Sequence, residues 1–264
     1  MNFLSKIIDQ KRQRVETAKA LVSLEVVRLM AQQARTTANP HALVHALRDE
    51  SRNNIIAEFK RRSPSKGEIR PTADPANIAR AYESAGAAAV SVLTEEDYFD
   101  GSLDDLRAVR QAISLPILRK DFIVEEYQVY ESAAAGADSL LLIVTALDDG
   151  TLGRLRCLTE DELGMDALVE VHTREELDRA VNSGASLIGV NNRNLVTFEV
   201  SLETSARLAS YAADGAMLVS ESGIESAADI HRLRNLGYRG VLIGETLMRA
   251  DDPATLLSDF ARRR

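Results

Sequence analysis

The chain has 264 residues, 45% of them hydrophobic, which is enough to bury the core of one large domain or two small ones. Its formal net charge of −8 argues against a general affinity for nucleic acid, and its single cysteine, Cys157, excludes an internal disulfide and suits a reducing cytoplasm. The N-terminal residues lack the apolar core of a signal peptide and the longest apolar run, from Leu140 to Leu147, is too short to span a bilayer, so no membrane partner is expected.

Residues 1–48 are predicted to form a helical extension. Phe3, Leu4 and Ile7 fall on one face at helical spacing, and further apolar sets follow on both sides of a break at residues 39–40. We expect the apolar faces of these helices to pack near the mouth of the following domain and to help cover its ligand.

From Ile55 onward, short apolar runs alternate with longer amphipathic stretches. The eight strand candidates are Ile55–Lys60, Ala88–Leu93, Pro116–Lys120, Ser139–Val144, Ala167–Val171, Leu187–Asn191, Met217–Glu221 and Gly240–Gly244. Apolar strands separated by helices predict a parallel sheet, and eight such units predict a (β/α)8 TIM barrel of the α/β class. A doubly wound open sheet is the alternative, but no Gly-x-Gly-x-x-Gly motif opens a helix. The chain is therefore expected to be one domain, residues 1–264, with the barrel over residues 49–264.

Several of the predicted helices end in a glycine. The glycines just before predicted strands are Gly86, Gly136, Gly184, Gly215 and Gly237. Each is expected to be the C′ residue of the helix that precedes it, where the left-handed backbone favours glycine.

The end of the first strand carries an acid and a base. Because side chains two apart on a strand share a face, Ile56, Glu58 and Lys60 point the same way. The loop that follows, residues 63–67, offers hydroxyls, backbone N–H groups and nearby cations, which suit an anion such as phosphate. A nucleic-acid patch is the alternative for the basic residues here, but the acidic net charge disfavours it.

The carboxyl ends of the other strands also carry polar residues, and in a TIM barrel these ends form the active site. The residues are Lys120, Glu170, Asn191, Arg193, Glu221 and Ser222. Crowded ionisable groups can shift pKa values and divide acid and base roles, although a salt-bridge network that caps the barrel is the alternative. His172 shares the face of Glu170 and is expected to serve only in packing or hydrogen bonding.

Two short turns follow strands 7 and 8, the usual phosphate position in this fold. They are Ser222-Gly223 and Gly244-Glu245, and each opens a helix whose N–H groups and dipole favour an anion. Together with Ser63 they predict a phosphate site. The sequence contains no Cys/His metal cluster and no Walker loop, so neither a metal nor a cofactor is expected.

The ordered motifs resemble those of the indole-3-glycerol-phosphate synthase family. They are Glu58-Phe-Lys60-Arg-Arg-Ser63-Pro-Ser, Leu93-Thr-Glu-Glu-Asp-Tyr-Phe99-Asp-Gly-Ser, Leu118-Arg-Lys120-Asp-Phe122-Ile, Val169-Glu170-Val-His, Gly189-Val-Asn191-Asn-Arg193-Asn-Leu and Ser220-Glu221-Ser222-Gly223-Ile. The resemblance covers essentially the whole chain, including the N-terminal extension, and no catalytic position of the family is missing. It implies a monofunctional enzyme, without the isomerase barrel that is fused to some relatives.

The resemblance implies a step of tryptophan biosynthesis. The substrate, 1-(2-carboxyphenylamino)-1-deoxyribulose 5-phosphate, closes a ring and loses CO2 and water to give indole-3-glycerol phosphate. By analogy with the family, Lys120 polarises the substrate carbonyl and Glu170 stabilises the cationic ring that results. Lys60 and Glu58 are the expected acid and base of the dehydration, with the division of labour between the two lysines left open.

The family also implies binding roles. Asn191, Glu221 and Ser222 would orient the substrate, and Arg193 would support the glutamates or the substrate carboxylate. The implied phosphate ligands are Ser63, Gly223, Gly244 and Glu245, the last through its backbone N–H, and the implied walls of the aromatic pocket are Phe99 and Phe122. The expected partner is this small phosphorylated molecule. The protein is expected to be a monomer that associates at most weakly with other enzymes of the pathway.

Two other functions stay open at this point. A related phosphate-binding barrel, such as phosphoribosylanthranilate isomerase, would open a sugar by acid–base catalysis without releasing CO2. A catalytically silent barrel would only bind a phosphorylated ligand. Release of CO2 separates the first from the expected reaction, and turnover of the carboxyphenylamino substrate excludes the second.

Overall fold

Eight parallel strands form a closed barrel in the computed structural model, which describes residues 3–195, 197–212 and 215–263. The strands are β1 Ile55–Phe59, β2 Ala89–Leu93, β3 Ile117–Lys120, β4 Ser139–Ile143, β5 Asp166–Val171, β6 Leu187–Asn191, β7 Met217–Glu221 and β8 Gly240–Ile243. Each strand pairs with its neighbours in the chain, and β1 closes the barrel by pairing with β8. The predicted TIM barrel is confirmed, and every predicted strand is found within one residue at each end.

Helices surround the barrel and precede it. They are α1 Phe3–Leu21, α2 Leu24–Arg35, α3 Ala42–Leu47, α4 Pro75–Ser84, α5 Leu103–Ala112, α6 Glu126–Ala134, α7 Asp149–Cys157, α8 Arg174–Asn182, α9 Glu203–Ala209, α10 Ala227–Asn235, α11 Glu245–Arg249 and α12 Pro253–Ala261. The predicted loop after β1 is the turn of a small hairpin, Arg62–Ser63 with Gly67–Glu68. None of the described helices has both the length and the apolar content needed to cross a membrane.

The alternation of side chains along each strand builds two apolar layers. On β1, Ile55, Ala57 and Phe59 face the helices, while Ile56 packs inside the barrel with residues such as Leu118. All of these side chains are buried. Because both faces of the sheet are covered, the strands are nearly continuous in apolar residues, and only their carboxyl ends have room for charged groups.

Of the three N-terminal helices, α2 packs against α6 on the outside of the barrel, whereas α1 and α3 lie at its opposite ends. Phe3 and Leu4 of α1 line the cavity at the mouth, as predicted for the extension. In contrast, α3 closes the floor, where Leu43 and Leu47 are fully buried against the inner layer of the barrel. The Asp166 carboxylate, at the amino end of β5, accepts the first N–H groups of α3. The expectation that all these helices pack near the mouth is therefore wrong for α3.

The helix-ending glycines behave as predicted with one exception. Gly86, Gly136, Gly184 and Gly237 each follow the C-cap residue of a helix, with φ between 85° and 96°. The prediction for Gly215 is wrong, because α9 already ends at Ala209 with Ser210 as its C-cap.

Candidate active site

A cavity of about 640 Å³ opens at the carboxyl ends of the strands. All of the site residues predicted from the sequence line it, namely Glu58, Lys60, Ser63, Phe99, Lys120, Phe122, Glu170, Asn191, Arg193, Glu221, Ser222, Gly223, Gly244 and Glu245. The strands bring these residues together because each contributes the polar positions that follow its last buried apolar residue. The cavity is large enough for a phosphorylated ligand with an aromatic ring.

Lys120, at the end of β3, lies between two carboxylates that come from the ends of β5 and β7. Its Nζ is 3.1 Å from Glu170 Oε2 and 3.4 Å from Glu221 Oε2. Burial opposes the charge on Lys120, but the attraction of Glu170, Glu221 and Glu58 outweighs it and raises the lysine pKa. The ammonium therefore stays protonated at neutral pH until a more basic group approaches it.

The two glutamates that flank Lys120 differ in their proton affinity. Burial disfavours both charges, but Lys120 and His172 outweigh this at Glu170 and lower its pKa. Burial raises the pKa of Glu221 to about 7, since the charges of Glu170 and Glu58 offset the attraction of Lys120. Oε2 of Glu221 is in the ion pair with Lys120, whereas Oε1 is buried and has no hydrogen-bond partner among the described residues, so Oε1 is available to a ligand.

Two glycines make room for the glutamates of the cavity. A Cβ atom at Gly189 would lie 2.1 Å from Glu221 Oε1, and one at Gly244 would lie 2.1 Å from Glu58 Oε1. Glu58 in turn pairs with Lys60, whose Nζ is 2.7 Å from its Oε1. No local pattern in the sequence marks this function of Gly189, because the contact joins two different strands.

The predicted phosphate residues lie at one end of the cavity. The Ser63 Oγ is buried and has no hydrogen-bond partner within the described part of the chain. Ser222 and Gly223 both have a left-handed backbone, with φ of 67° and 76°, and lead from β7 toward α10. Gly244 is the N-cap residue of the short helix α11. These hydroxyl and backbone N–H donors follow the adjacent strands β7, β8 and β1 and line the same cavity, an arrangement that suits an anion.

Arg193 lies at this same end, where its side chain contacts Ser65 and Glu245. Its Nη1 donates to Ser65 Oγ at 3.2 Å, and its Nη2 is 3.8 Å from Glu245 Oε2. Lys66 also approaches the Glu245 carboxylate, at 3.6 Å. Arg193 and Lys66 therefore place two positive charges beside the predicted phosphate residues.

Aromatic rings and α1 form the apolar wall of the cavity. Phe99 and Phe122 lie with ring centroids 6.5 Å apart. Phe3 of α1 contacts Tyr98 edge-on, with centroids 5.0 Å apart. The buried Lys11 of α1 fixes the helix there, because its Nζ is 2.9 Å from the buried Asp121.

The contact of α1 with the cavity leads to a prediction. Replacing Phe3 and Leu4 together by alanine should raise KM about tenfold with little change in kcat, because these side chains contribute apolar contact of roughly 1–2 kcal/mol to a bound ligand. Steady-state kinetics on the purified variant provide the test. The control is Leu21→Ala on the same helix, where the side chain is 81% exposed. An unchanged KM in the double variant would contradict the role of α1 in binding.

Comparison with known proteins agrees with this geometry. A family model described as indole-3-glycerol phosphate synthase matches residues 4–260. The indole-3-glycerol phosphate synthase of Carboxydothermus hydrogenoformans is 47% identical over 97% of this chain and 98% of its own length. That of Mycolicibacterium gilvum is 50% identical over 97% and 93%.

One solved structure has a similar fold but a very different sequence. Thiamine phosphate pyrophosphorylase from Pyrococcus furiosus superposes with a TM-score of 0.58 at 15% identity. The match covers 79% of this chain and 93% of that protein, and at this identity it supports the barrel fold and nothing more about function.

Proposed function

Because the chain belongs to the indole-3-glycerol phosphate synthase family, we propose how its residues divide the work of that family's reaction. The enzyme is a carboxy-lyase of tryptophan biosynthesis, and its reaction joins ring closure, loss of CO2 and loss of water. The observation that carries the proposal is the position of Lys120, held in the cavity between the carboxylates of Glu170 and Glu221.

In the first step, Lys120 is the proton donor. The aromatic carbon that bears the substrate carboxylate attacks the ketone carbon, and negative charge develops on the ketone oxygen. This alkoxide is basic enough to take a proton from a lysine whose pKa is raised. Glu170 stays ionised despite its burial, because its pKa is lowered. Its negative charge stabilises the positive charge that the ring acquires when the carbon–carbon bond forms.

The remaining steps restore aromaticity. Loss of CO2 returns the ring electrons, and elimination of water then needs an acid on the departing hydroxyl and a base on the aniline nitrogen. Lys60 and Glu58 supply these groups and are already in contact at 2.7 Å. Asn191, Glu221 and Ser222 orient the substrate, with the unpartnered Oε1 of Glu221 accepting a hydrogen bond from a substrate hydroxyl.

The substrate lies with its ring against Phe99 and Phe122 and its phosphate at the opposite end of the cavity. Ser63 donates its hydroxyl to the phosphate, and the backbone N–H groups of Gly223, Gly244 and Glu245 complete the site. Arg193, through its position beside Ser65 and Glu245, contributes positive charge to the phosphate end.

The phosphate site leads to a second prediction. Ser63→Ala should raise KM about 10- to 100-fold and weaken competitive inhibition by inorganic phosphate to a similar degree, because hydrogen bonds to charged groups contribute about 1.5–3 kcal/mol. Inhibition by phosphate is measured against chloride at equal ionic strength, and thermal unfolding confirms that the variant is folded. Substitutions at Gly244 are less informative, because they also displace Glu58. Wild-type inhibition in Ser63→Ala would contradict the site.

The overall reaction is tested with the purified chain and its carboxyphenylamino substrate. Formation of indole-3-glycerol phosphate is followed by the fluorescence of its indole ring, and CO2 release is measured in the same reaction. We expect both products in equal amounts. Binding without turnover would indicate a silent barrel, and turnover without CO2 would indicate an isomerase.

We also propose that the enzyme works as a monomer in the cytoplasm. All of the site residues line one cavity of a single chain, so the site needs no partner subunit. Sedimentation at micromolar concentration should give a mass close to 28.9 kDa, and a stable dimer would contradict this.

A further inference from the structure

His172 lies behind the acid–base cluster, between two carboxylates. Its Nδ1 is 3.2 Å from Glu176 Oε2 and its Nε2 is 3.5 Å from Glu170 Oε1. From this placement we propose that His172, held by Glu176, is a positioning residue that keeps Glu170 oriented and negatively charged during catalysis. The inference rests on the proposed function, specifically on the role of Glu170 as the group that stabilises the cationic ring.

Glu176 holds the imidazole from the side away from the cavity. Its carboxylate accepts the backbone N–H of His172 at 2.7 Å and the hydroxyl of Thr145 at 2.5 Å. The two donors follow the ends of β5 and β4, while Glu176 itself is in the first turn of α8. These bonds and its own helix fix the position of the Glu176 carboxylate. Because this carboxylate is in turn 3.2 Å from Nδ1, the imidazole of His172 has one preferred ring orientation.

The surroundings of the ring favour its doubly protonated form. The side chain is only 13% exposed, and each nitrogen faces a carboxylate oxygen, so each acts best as an N–H donor. Burial disfavours the imidazolium, but the hydrogen bond to Glu176 and the charges of Glu170, Glu176 and Glu221 outweigh it and raise the histidine pKa. Nε2 lies at ion-pair distance from Glu170 without an aligned hydrogen bond, and no other described residue offers it a partner.

Glu170 therefore has a cation at each of its two oxygens. Lys120 is beside Oε2 and His172 is beside Oε1. When Lys120 passes its proton to the substrate, it leaves Glu170 without that positive charge. The imidazolium of His172 then keeps the glutamate ionised at the moment when a cationic ring must be stabilised. A histidine that served only in packing would have no such effect.

The proposal predicts a pH effect with a definite sign. The supporting imidazolium is present below the pKa of His172 and is lost as the pH rises through it, so kcat should fall on the basic side. Glu176→Gln removes the carboxylate that raises this pKa, and the basic limb of the kcat profile should move to lower pH by about one unit. The matched control is Glu175→Gln, an exposed neighbour on the same helix, which should leave the profile unchanged.

His172→Gln keeps a hydrogen-bond donor but no titratable charge. We expect its kcat to fall about tenfold with KM nearly unchanged. The fall in kcat that deprotonation of His172 causes on the basic side of the pH profile should disappear. NMR titration of the four histidines provides a readout that does not depend on activity. The signal absent from His172→Gln should titrate above the ordinary pKa of about 6.5 in the wild type and lower in Glu176→Gln.

Two outcomes would overturn the inference. One is a wild-type pH profile in His172→Gln, and the other is an unmoved histidine signal in Glu176→Gln. Glu170→Gln separates this inference from the proposed function. If Glu170→Gln is inactive while His172→Gln behaves as the wild type, only the positioning role fails. If Glu170→Gln keeps its activity, the role of Glu170 fails as well.

Discussion

Lys120→Arg should lose nearly as much activity as Lys120→Met, about 10²–10⁴-fold in kcat, which is the typical contribution of a general acid. Arginine keeps the positive charge between Glu170 and Glu221, but its pKa is too high for it to donate a proton near neutrality. Comparing the two variants therefore separates proton donation from electrostatic attraction.

The structure also indicates which of the two variants is more stable and therefore easier to interpret. Methionine would remove the cation that the buried carboxylates of Glu170 and Glu221 share, and breaking a buried pair typically costs about 3–5 kcal/mol of stability. The arginine variant avoids this loss, so its kcat is the decisive measurement, with circular dichroism to confirm folding. If Lys120→Arg keeps more than about a tenth of the wild-type kcat, Lys120 is an electrostatic anchor and Lys60 becomes the candidate for the first proton transfer.

Gly189→Ala should reduce kcat by about a hundredfold, the loss that a displacement of about 1 Å in an active site can cause, although Gly189 itself has no side chain that reacts. The added Cβ would lie 2.1 Å from Glu221 Oε1, so the carboxylate must leave its place or the β6 backbone must shift. Because Glu221 is buried among packed strands, this overpacking should also cost about 1–3 kcal/mol of stability. Kinetics and thermal unfolding are measured on the same preparation.

The matched control is another glycine that has no such neighbour. Gly153 lies inside α7, and an added Cβ there would meet nothing within 4 Å. Gly153→Ala should keep full activity and gain up to about 1 kcal/mol of stability, since alanine favours a helix more than glycine does. Wild-type kcat in Gly189→Ala would show that the position of Glu221 is not critical.

The strands and the site residues could be predicted from the sequence for one physical reason. Strands buried on both faces are short apolar runs, and a charged residue that follows such a run can only lie at the open end of the barrel. Glu58, Lys120, Glu170 and Glu221 all meet this condition, and all four line the cavity.

The features that escaped prediction are contacts between distant segments. An amphipathic helix looks the same whether it covers the mouth, as α1 does, or closes the floor, as α3 does. The closeness of Gly189 to Glu221 depends on the register of two strands, and the bond from Thr145 to Glu176 depends on how α8 packs beside the turn after β4. Periodicity reports which face of an element is apolar and not what that face meets.

The closure of the barrel floor by α3 has a consequence for the newly made chain. Leu43 N–H bonds to a carboxylate 123 positions later, so at about 5–20 residues per second the ribosome needs roughly 6–25 s to produce this partner. During that interval the apolar face of α3 has no barrel to cover it and is available to chaperones or to neighbouring nascent chains. Early translation, before Asp166 emerges, is therefore the period in which we expect this protein to be most prone to aggregation.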